Sequence, residues 1–279
     1  MQTGRASRTA LRVASRRAAH QLLDHPQVLV DPVAVPILGA NFKLNRKRED
    51  QPIGRAFRAF LAARSRYTED NLATAVAQGA AQYVLLGAGL DTFAYRNPFP
   101  HLRVFEVDFP ATQTWKRELL QAAAIPEPPN LTFVPLDFEH RTLAEGLADA
   151  GFNSARPAFF GWLGVVPYLT LPAFRSTLDF IAALPAGSGI AFDFALSLSE
   201  LSPRLQLAQA ALSARVALAG EPFRLFFRSE QIDNELHSAG FQTIEQLDSM
   251  QTNERYFTGR TDGLHLPEEG LGKLATAWV

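Results

Sequence analysis

The chain has 279 residues, 47% of them apolar and 20% charged, with a formal net charge of −1 at neutral pH. That composition suits one large α/β domain or at most two small ones, and so small a charge gives no support to binding of nucleic acid or a membrane surface. Cysteine is absent, which excludes disulfides, thiolate zinc ligands and thiol nucleophiles and fits a reducing cytoplasm; no apolar run approaches the roughly 18 residues that would span a bilayer.

The first 20 residues hold Arg5, Arg8, Arg12, Arg16 and Arg17 and no acid. Arg5, Arg8, Arg12 and Arg16 recur every three to four positions, so they share one helical face, with an apolar stripe of Leu11, Ala14, Ala18 and Leu22 beside it. An organelle transit peptide has a similar character. Here, however, the helix runs into "DHPQVLVDPVAVPILG" without a cleavage-like break, and a solvated or lid-forming helix is expected. Residues 1–80 read as helices interrupted by Pro26, Pro32, Pro36 and Pro52, with "NFKLNRKREDQP" as a charged loop.

From residue 83 the pattern changes to short apolar strands separated by helical segments. Strands are expected at 83–87, 102–108, 131–137, 158–165 and 189–196, with helices such as "ATQTWKRELLQAAA" and "TLPAFRSTLDFIAAL" between them. This alternation implies right-handed βαβ crossovers and a parallel sheet covered by helices on both faces. Near the end, "SEQIDNELHSAG" reads as a helix with Ser229 as N-cap and Gly240 as its stop. "FQTIEQL" and "RYFTGR" then suggest an antiparallel hairpin with no helix between them. The expected organisation is one domain, with residues 1–80 as a helical extension or lid and 81–279 as the α/β core.

The chemistry concentrates where "YVLLG" meets "AGLDT". Ligands of an open α/β sheet bind at the carboxyl ends of the strands, and Gly87 and Gly89 let a ligand approach the backbone there. An acid closing the second strand, about 20 residues on, grips ribose hydroxyls. Glu106 and Asp108 both satisfy that spacing on one sheet face, and Asp108, nearer the strand end, is the favoured ribose ligand. Thr92 stands where a dinucleotide fold wants its third glycine, and the carboxylate of Asp91 opposes a pyrophosphate at this turn. It suits a ligand with an amino group and a sulfonium, such as S-adenosylmethionine (SAM). With Asp91, Asp108 and Asp137 at successive strand ends, SAM is the expected cofactor. The alternative is that the glycines only permit a tight turn and the acids are solvated strand ends.

"LLGAGLDTFAYR", "VFEVDFPATQTWKR" and "FVPLDF" together resemble the leucine carboxyl methyltransferase superfamily, and within it the bacterial SAM-dependent methyltransferases of that group. The resemblance extends to "SRTALRVASRRAAH", "DPVAVPILG", "FFGWLGVVPYLT" and "YFTGRTDGL". It implies a class I SAM-dependent methyltransferase fold, Rossmann-like, with a seven-stranded mostly parallel sheet and a terminal antiparallel hairpin. It further implies that Gly87 and Gly89 lie under the methionine portion of SAM, that Asp108 binds the ribose beside Glu106, and that Asp137 and Phe138 hold the adenine. An arginine before the first strand would bind the SAM carboxylate; Arg66 is the better match and Arg64 the reserve, a solvated helix surface being the alternative for both. In one respect the chain departs from the family. Leu163 stands where the leucine carboxyl methyltransferases place a glutamate after the fourth strand, while Tyr168 of that pattern remains and is a candidate acceptor-pocket residue. The loss disfavours a protein-phosphatase tail as substrate and removes a polar contact near the SAM amino group, for which Asp91 or a backbone carbonyl could compensate.

The expected reaction is O-methylation of a small molecule. A carboxylate acceptor, already ionised, needs alignment and dehydration, whereas a hydroxyl needs a general base. His20, His25, His101, His140, His237 and His265 are scattered and fall in no acid–base motif, and no metal-ligand spacing is present. The catalytic residue is therefore unassigned and metal independence is expected. Two rival readings remain: a non-catalytic SAM-binding or ligand-sensing protein and, disfavoured by Thr92, a nicotinamide oxidoreductase.

Overall fold

In a computed structural model that describes residues 8–137, 141–218, 220 and 222–279, the apolar runs become strands close to the expected positions. They are β1 (Gln82–Leu86), β2 (Arg103–Asp108), β3 (Leu131–Pro135), β4 (Ala158–Trp162) and β5 (Gly189–Ala195). Two more, β6 (Thr243–Leu247) and β7 (Gly272–Trp278), complete a seven-stranded sheet of order β3-β2-β1-β4-β5-β7-β6. β1 to β5 pair in parallel, and β7 runs antiparallel to both of its neighbours. The strand order reverses between β1 and β4, and the crevice outside their carboxyl ends is where such sheets bind ligands.

Continuous apolar strands are what a sheet buried on both faces requires, and β1 and β4 are buried at every residue. One face carries Phe160, Phe174, Phe192 and Phe227, and the other Tyr67, Tyr83, Leu85 and Phe159. The helices are α1 (Arg8–Leu23), α2 (Arg46–Glu49), α3 (Pro52–Ala77), α4 (Pro110–Ala122) and α5 (Leu143–Asp149). They continue with α6 (Leu171–Ala182), α7 (Pro203–Leu218), α8 (Ser229–Ala239) and α9 (Ser249–Tyr256). Among the described residues no helix is long and apolar enough to cross a membrane.

Three local expectations are corrected. The partner of β6 is not "RYFTGR": its first residues close α9, which Asp248 and Gln251 start with a reciprocal capping box, and the antiparallel partner is β7 at the end of the chain. Ser229 is the first residue of α8 rather than its N-cap, and its hydroxyl donates to Glu200. Gly240 does end α8, at φ +114°, a left-handed position that favours glycine. In α1, Ala14 and Ala18 are buried as expected, but Leu11 and Leu22 are exposed and Arg17 is buried instead. The helix is rotated so that Ala10 and Ala14 pack with Ile37, Leu90 and Leu120 over the turn after β1.

Candidate cofactor site at the strand ends

The turn after β1 is built to need glycine. Gly87 and Gly89 have φ of +65° and +51°, where a side chain is strained. The amides of Gly87 and Ala88 both donate to the Val107 carbonyl, which ties the turn to β2. A Cβ on Gly87 would stand 2.5 Å from Val165 Cγ2, and one on Gly89 would stand 3.2 Å from Ala10 Cβ. The neighbours that exclude a side chain here are thus the protein's own: Val165 from the segment after β4, and α1 lying across the turn.

Asp108 ends β2 and accepts from the Gly89 amide at 2.5 Å and the Phe109 amide at 2.6 Å, so it organises the glycine turn directly. Burial raises its pKa, opposed by those two amide hydrogen bonds. Glu106, one pleat earlier, is fully buried and accepts at 2.6 Å from Lys116 of α4, whose ammonium also donates to the Asp91 carbonyl. Burial pushes Glu106 up to about 7 against the pull of Lys116, and its Oε1 has no hydrogen-bond partner.

Asp91 is committed to α1. Arg17 Nη1 donates to it at 2.7 Å, while Arg17 Nη2 reaches Asp31 at 2.8 Å and Thr92 Oγ1 at 2.9 Å. Burial alone would raise Asp91, but Arg17, Arg96 and Lys116 outweigh it and bring its pKa down to about 2. Arg96 completes the network with two hydrogen bonds to Glu69 and an ion pair to Asp31. Three cations (Arg17, Arg96 and Lys116) stand against five carboxylates (Asp31, Glu69, Asp91, Glu106 and Asp108). Even with Glu106 partly protonated near neutral pH, the carboxylates around this turn outnumber its cations, which favours a cationic ligand.

On the far side of the crevice, Gly164 follows β4 at φ +70° and its amide donates to Asp193 of β5 at 2.6 Å. Arg64 of α3 is buried, 3.2 Å from the same carboxylate; its Nη1 would meet a Cβ on Gly164 at 2.9 Å, and its Nε has no partner. Arg66 is displaced from this crevice: it is exposed and ion-paired with Asp70 on the outer face of α3. Two residues apart on a helix point to nearly opposite sides, so the arginine at the strand ends is the reserve candidate, not the favoured one.

Asp137 is half-buried two residues beyond β3. Phe138 and His140 lie outside the described residues. Tyr168 closes a short 3₁₀ turn after β4, its ring 5.1 Å from that of Phe223, and Leu163 is half-buried just before that turn. The structure thus brings Gly87, Gly89, Asp91, Glu106 and Asp108 together, with Arg64 in place of Arg66. Sequence reasoning missed Asp31, Glu69, Arg96, Lys116 and Asp193, and assigned Arg17 no contact. Of these only Asp193, a lone acid in "AFDFA", stood out against its surroundings.

The sheet order with its antiparallel β7, and the acid-bordered glycine turn at the switch point, define a Rossmann-like methyltransferase fold of class I. A crystal structure described as "a putative methyltransferase from Thermobifida fusca YX" shares that fold, with a TM-score of 0.58, 20% sequence identity, and coverage of 87% of this chain and 91% of that one. The sequence profile of the leucine carboxyl methyltransferase family matches residues 10–182, and the chain belongs to that family. A Bacillus subtilis protein named "Putative S-adenosyl-L-methionine-dependent methyltransferase YktD" is 37% identical over 209 residues, 72% of this chain and 67% of that protein. A Mycobacterium tuberculosis protein named "Putative S-adenosyl-L-methionine-dependent methyltransferase Rv3787c" is 33% identical over 192 residues, 65% of this chain and 62% of that protein. The chain thus spans about two thirds of the length of these relatives. It is a methyltransferase with SAM as its cofactor.

Proposed function

We propose that this enzyme methylates an oxygen of a small molecule, a carboxylate in preference to a hydroxyl, with SAM lying across the carboxyl ends of β1 to β4. The observation that carries this reading is the pairing, across one crevice, of a carboxylate-rich glycine turn with the buried Arg64 guanidinium and its unpartnered Nε. Those groups complement the charge pattern of SAM. Arg64 is assigned to the methionine carboxylate and the carboxylates around the turn to the ammonium and sulfonium. Asp108, which keeps free lone pairs while holding the turn, is assigned to the ribose hydroxyls. Asp137 is assigned to the adenine, with Phe138 as its expected apolar neighbour. Tyr168 is assigned to the acceptor side, beyond β4.

Bound SAM supplies an activated methyl group whose departure leaves a neutral thioether. The protein has then to align the acceptor oxygen with that methyl group and exclude water, work for which α1, packed over the turn, is placed. An ionised carboxylate needs no more than this; a hydroxyl needs a base within hydrogen-bond reach. Among the described histidines, His20 is buried on Asp24 and the Val28 and Leu29 amides, His237 and His265 bond backbone carbonyls of their own segments, and His25 and His101 are exposed. None of these contacts lies at the strand ends, which is why the carboxylate is preferred. Leu163 favours the second reading, a SAM-binding sensor without turnover, because it lacks the polar side chain that the family places there.

The test is calorimetric titration with SAM and its demethylated product, followed by transfer of labelled methyl from SAM to a panel of carboxylic acids and alcohols. Label in a base-labile ester is expected. Label in a base-stable ether would reassign the acceptor, binding without transfer to any compound would favour the sensor, and absence of SAM binding would overturn the placement.

A further inference from the structure

The carboxyl edge of the sheet carries a second feature that the cofactor does not use. α3 leads into the amino end of β1 and, at Arg64, meets Asp193 near the carboxyl end of β5, so the turns before Arg64 extend outward from that edge. Arg64 lies against Gly164, just past β4, and Phe57 lies seven residues earlier, about 10 Å further out along the helix. The Arg16 guanidinium stands over the Phe57 ring, 4.8 Å from its centroid. Arg12 is one turn away on α1, and Arg48 of α2 and Arg215 of α7 come close enough for their charges to act on Arg16. Arg16, over Phe57, thus feels the charges of three further guanidiniums from α1, α2 and α7, in a protein whose net charge is −1.

These charges are poorly compensated. Glu49 is the acid that acts on Arg16, but it is buried and ion-paired to Arg58 at 3.5 Å. Burial lowers the pKa of Arg16; Glu49 opposes this, and the like charges of Arg48, Arg215 and Arg12 add to the lowering. Arg16 Nε is buried with no hydrogen-bond partner. A guanidinium has five donors and no acceptor, so a cluster of this kind is completed by an anion with several oxygens. The exposed side of Phe57 and, one turn before it, Ile53 offer an apolar surface beside it.

We propose that Arg12, Arg16, Arg48 and Arg215 form the anchor for a second anionic group of the methyl acceptor, so that the acceptor is a small polyanion such as an extended dicarboxylic acid or a phosphorylated carboxylic acid. One end is held over Phe57, roughly 10 Å along α3 from Arg64, while the other reaches the transfer site. This rests on the assignment of the strand ends as the site of transfer, and the two are tested separately.

The anchor is probed first with inorganic phosphate at constant ionic strength, by melting temperature and calorimetry. Wild type should show a saturable stabilisation. It should be lost in the Arg16→Gln/Arg215→Gln double variant, weakened in Arg215→Gln alone, whose side chain is exposed, and partly kept in Arg16→Lys. Affinity for the demethylated cofactor should stay within twofold throughout. In turnover assays, KM for dicarboxylic acceptors should rise roughly tenfold in the double variant, about one lost charge-assisted contact, while monocarboxylic acceptors keep their KM. Phosphate that stabilises wild type and the double variant equally, or neither, overturns the anchor, as does an unchanged KM for dicarboxylic acceptors. If the cofactor product fails to bind wild type, the placement of the cofactor falls, and the phosphate titration still decides the anchor.

Discussion

Replacing Arg17 by alanine should be the most damaging single change near the cofactor turn, although Arg17 lies 74 residues from Asp91 in sequence. The side chain is 6% exposed and bonds Asp91, Asp31 and Thr92 at 2.7–2.9 Å. After its removal Asp31 keeps Arg96 at 3.4 Å and the Thr92 hydroxyl, but Asp91 loses its only ion pair among the described residues. Removing one partner of a buried pair costs about 3–5 kcal/mol. The net depression of Asp91 from 3.8 to about 2, to which Arg17, Arg96 and Lys116 all contribute against burial, corresponds to ~2 kcal/mol in favour of its ionised form. Urea unfolding followed by circular dichroism at pH 7 should show this loss, with a melting temperature lower by roughly 6–15 °C. In wild type the folded pKa of Asp91 is depressed, so its contribution is present above pH ~4 and fades as pH falls towards 2. In the variant Arg96, Lys116 and the Phe93 amide still oppose burial but Arg17 does not, so the Asp91 pKa moves up and its contribution to stability shrinks. The gap between the two proteins should therefore widen as pH rises from about 2. A loss below 1 kcal/mol at pH 7, or a gap independent of pH, would refute the role assigned to Arg17.

Asp108→Ala should weaken SAM binding by about 1.5–3 kcal/mol in calorimetry, the range for hydrogen bonds to a charged group, and Glu106→Gln by less, because Glu106 faces Lys116 rather than the crevice mouth; the reverse order would make Glu106 the ribose ligand. Arg64→Gln should raise the Kd for SAM at least tenfold while Arg66→Gln leaves it unchanged, and equal effects would dissolve the distinction drawn from their exposure. Gly87→Ala should lower the melting temperature through the 2.5 Å approach to Val165, and Val165→Ala should restore it in part, leaving a positive-φ cost of about 1 kcal/mol; no rescue would mean that Val165 does not set the glycine requirement.

Much of the frame was legible because it is written in local chemistry. Parallel strands buried on both faces must be continuously apolar, which placed β1 to β5, and the same spacing put Glu106 and Asp108 on one face at the end of β2. Glycines ending a strand marked a turn where a ligand can approach the backbone or, in the alternative, a merely tight turn; in the structure both have positive φ. The reason inferred for them was incomplete, since Val165 and Ala10, distant in sequence, are what crowd them. "RYFTGR" resembled a strand because aromatic and β-branched residues favour strands, but the Asp248 capping box and the proximity of β7 to β5 settled otherwise. The choice between Arg64 and Arg66 could not be read from α3, which buries Arg58 and Arg64 along with its alanines and so has no clean polar face. Charge pairing depends on distance in space, not along the chain. That is why Arg17 with Asp31 and Asp91, Arg96 with Glu69, and Arg64 with Asp193 emerged only when the helices folded across the carboxyl ends of the strands.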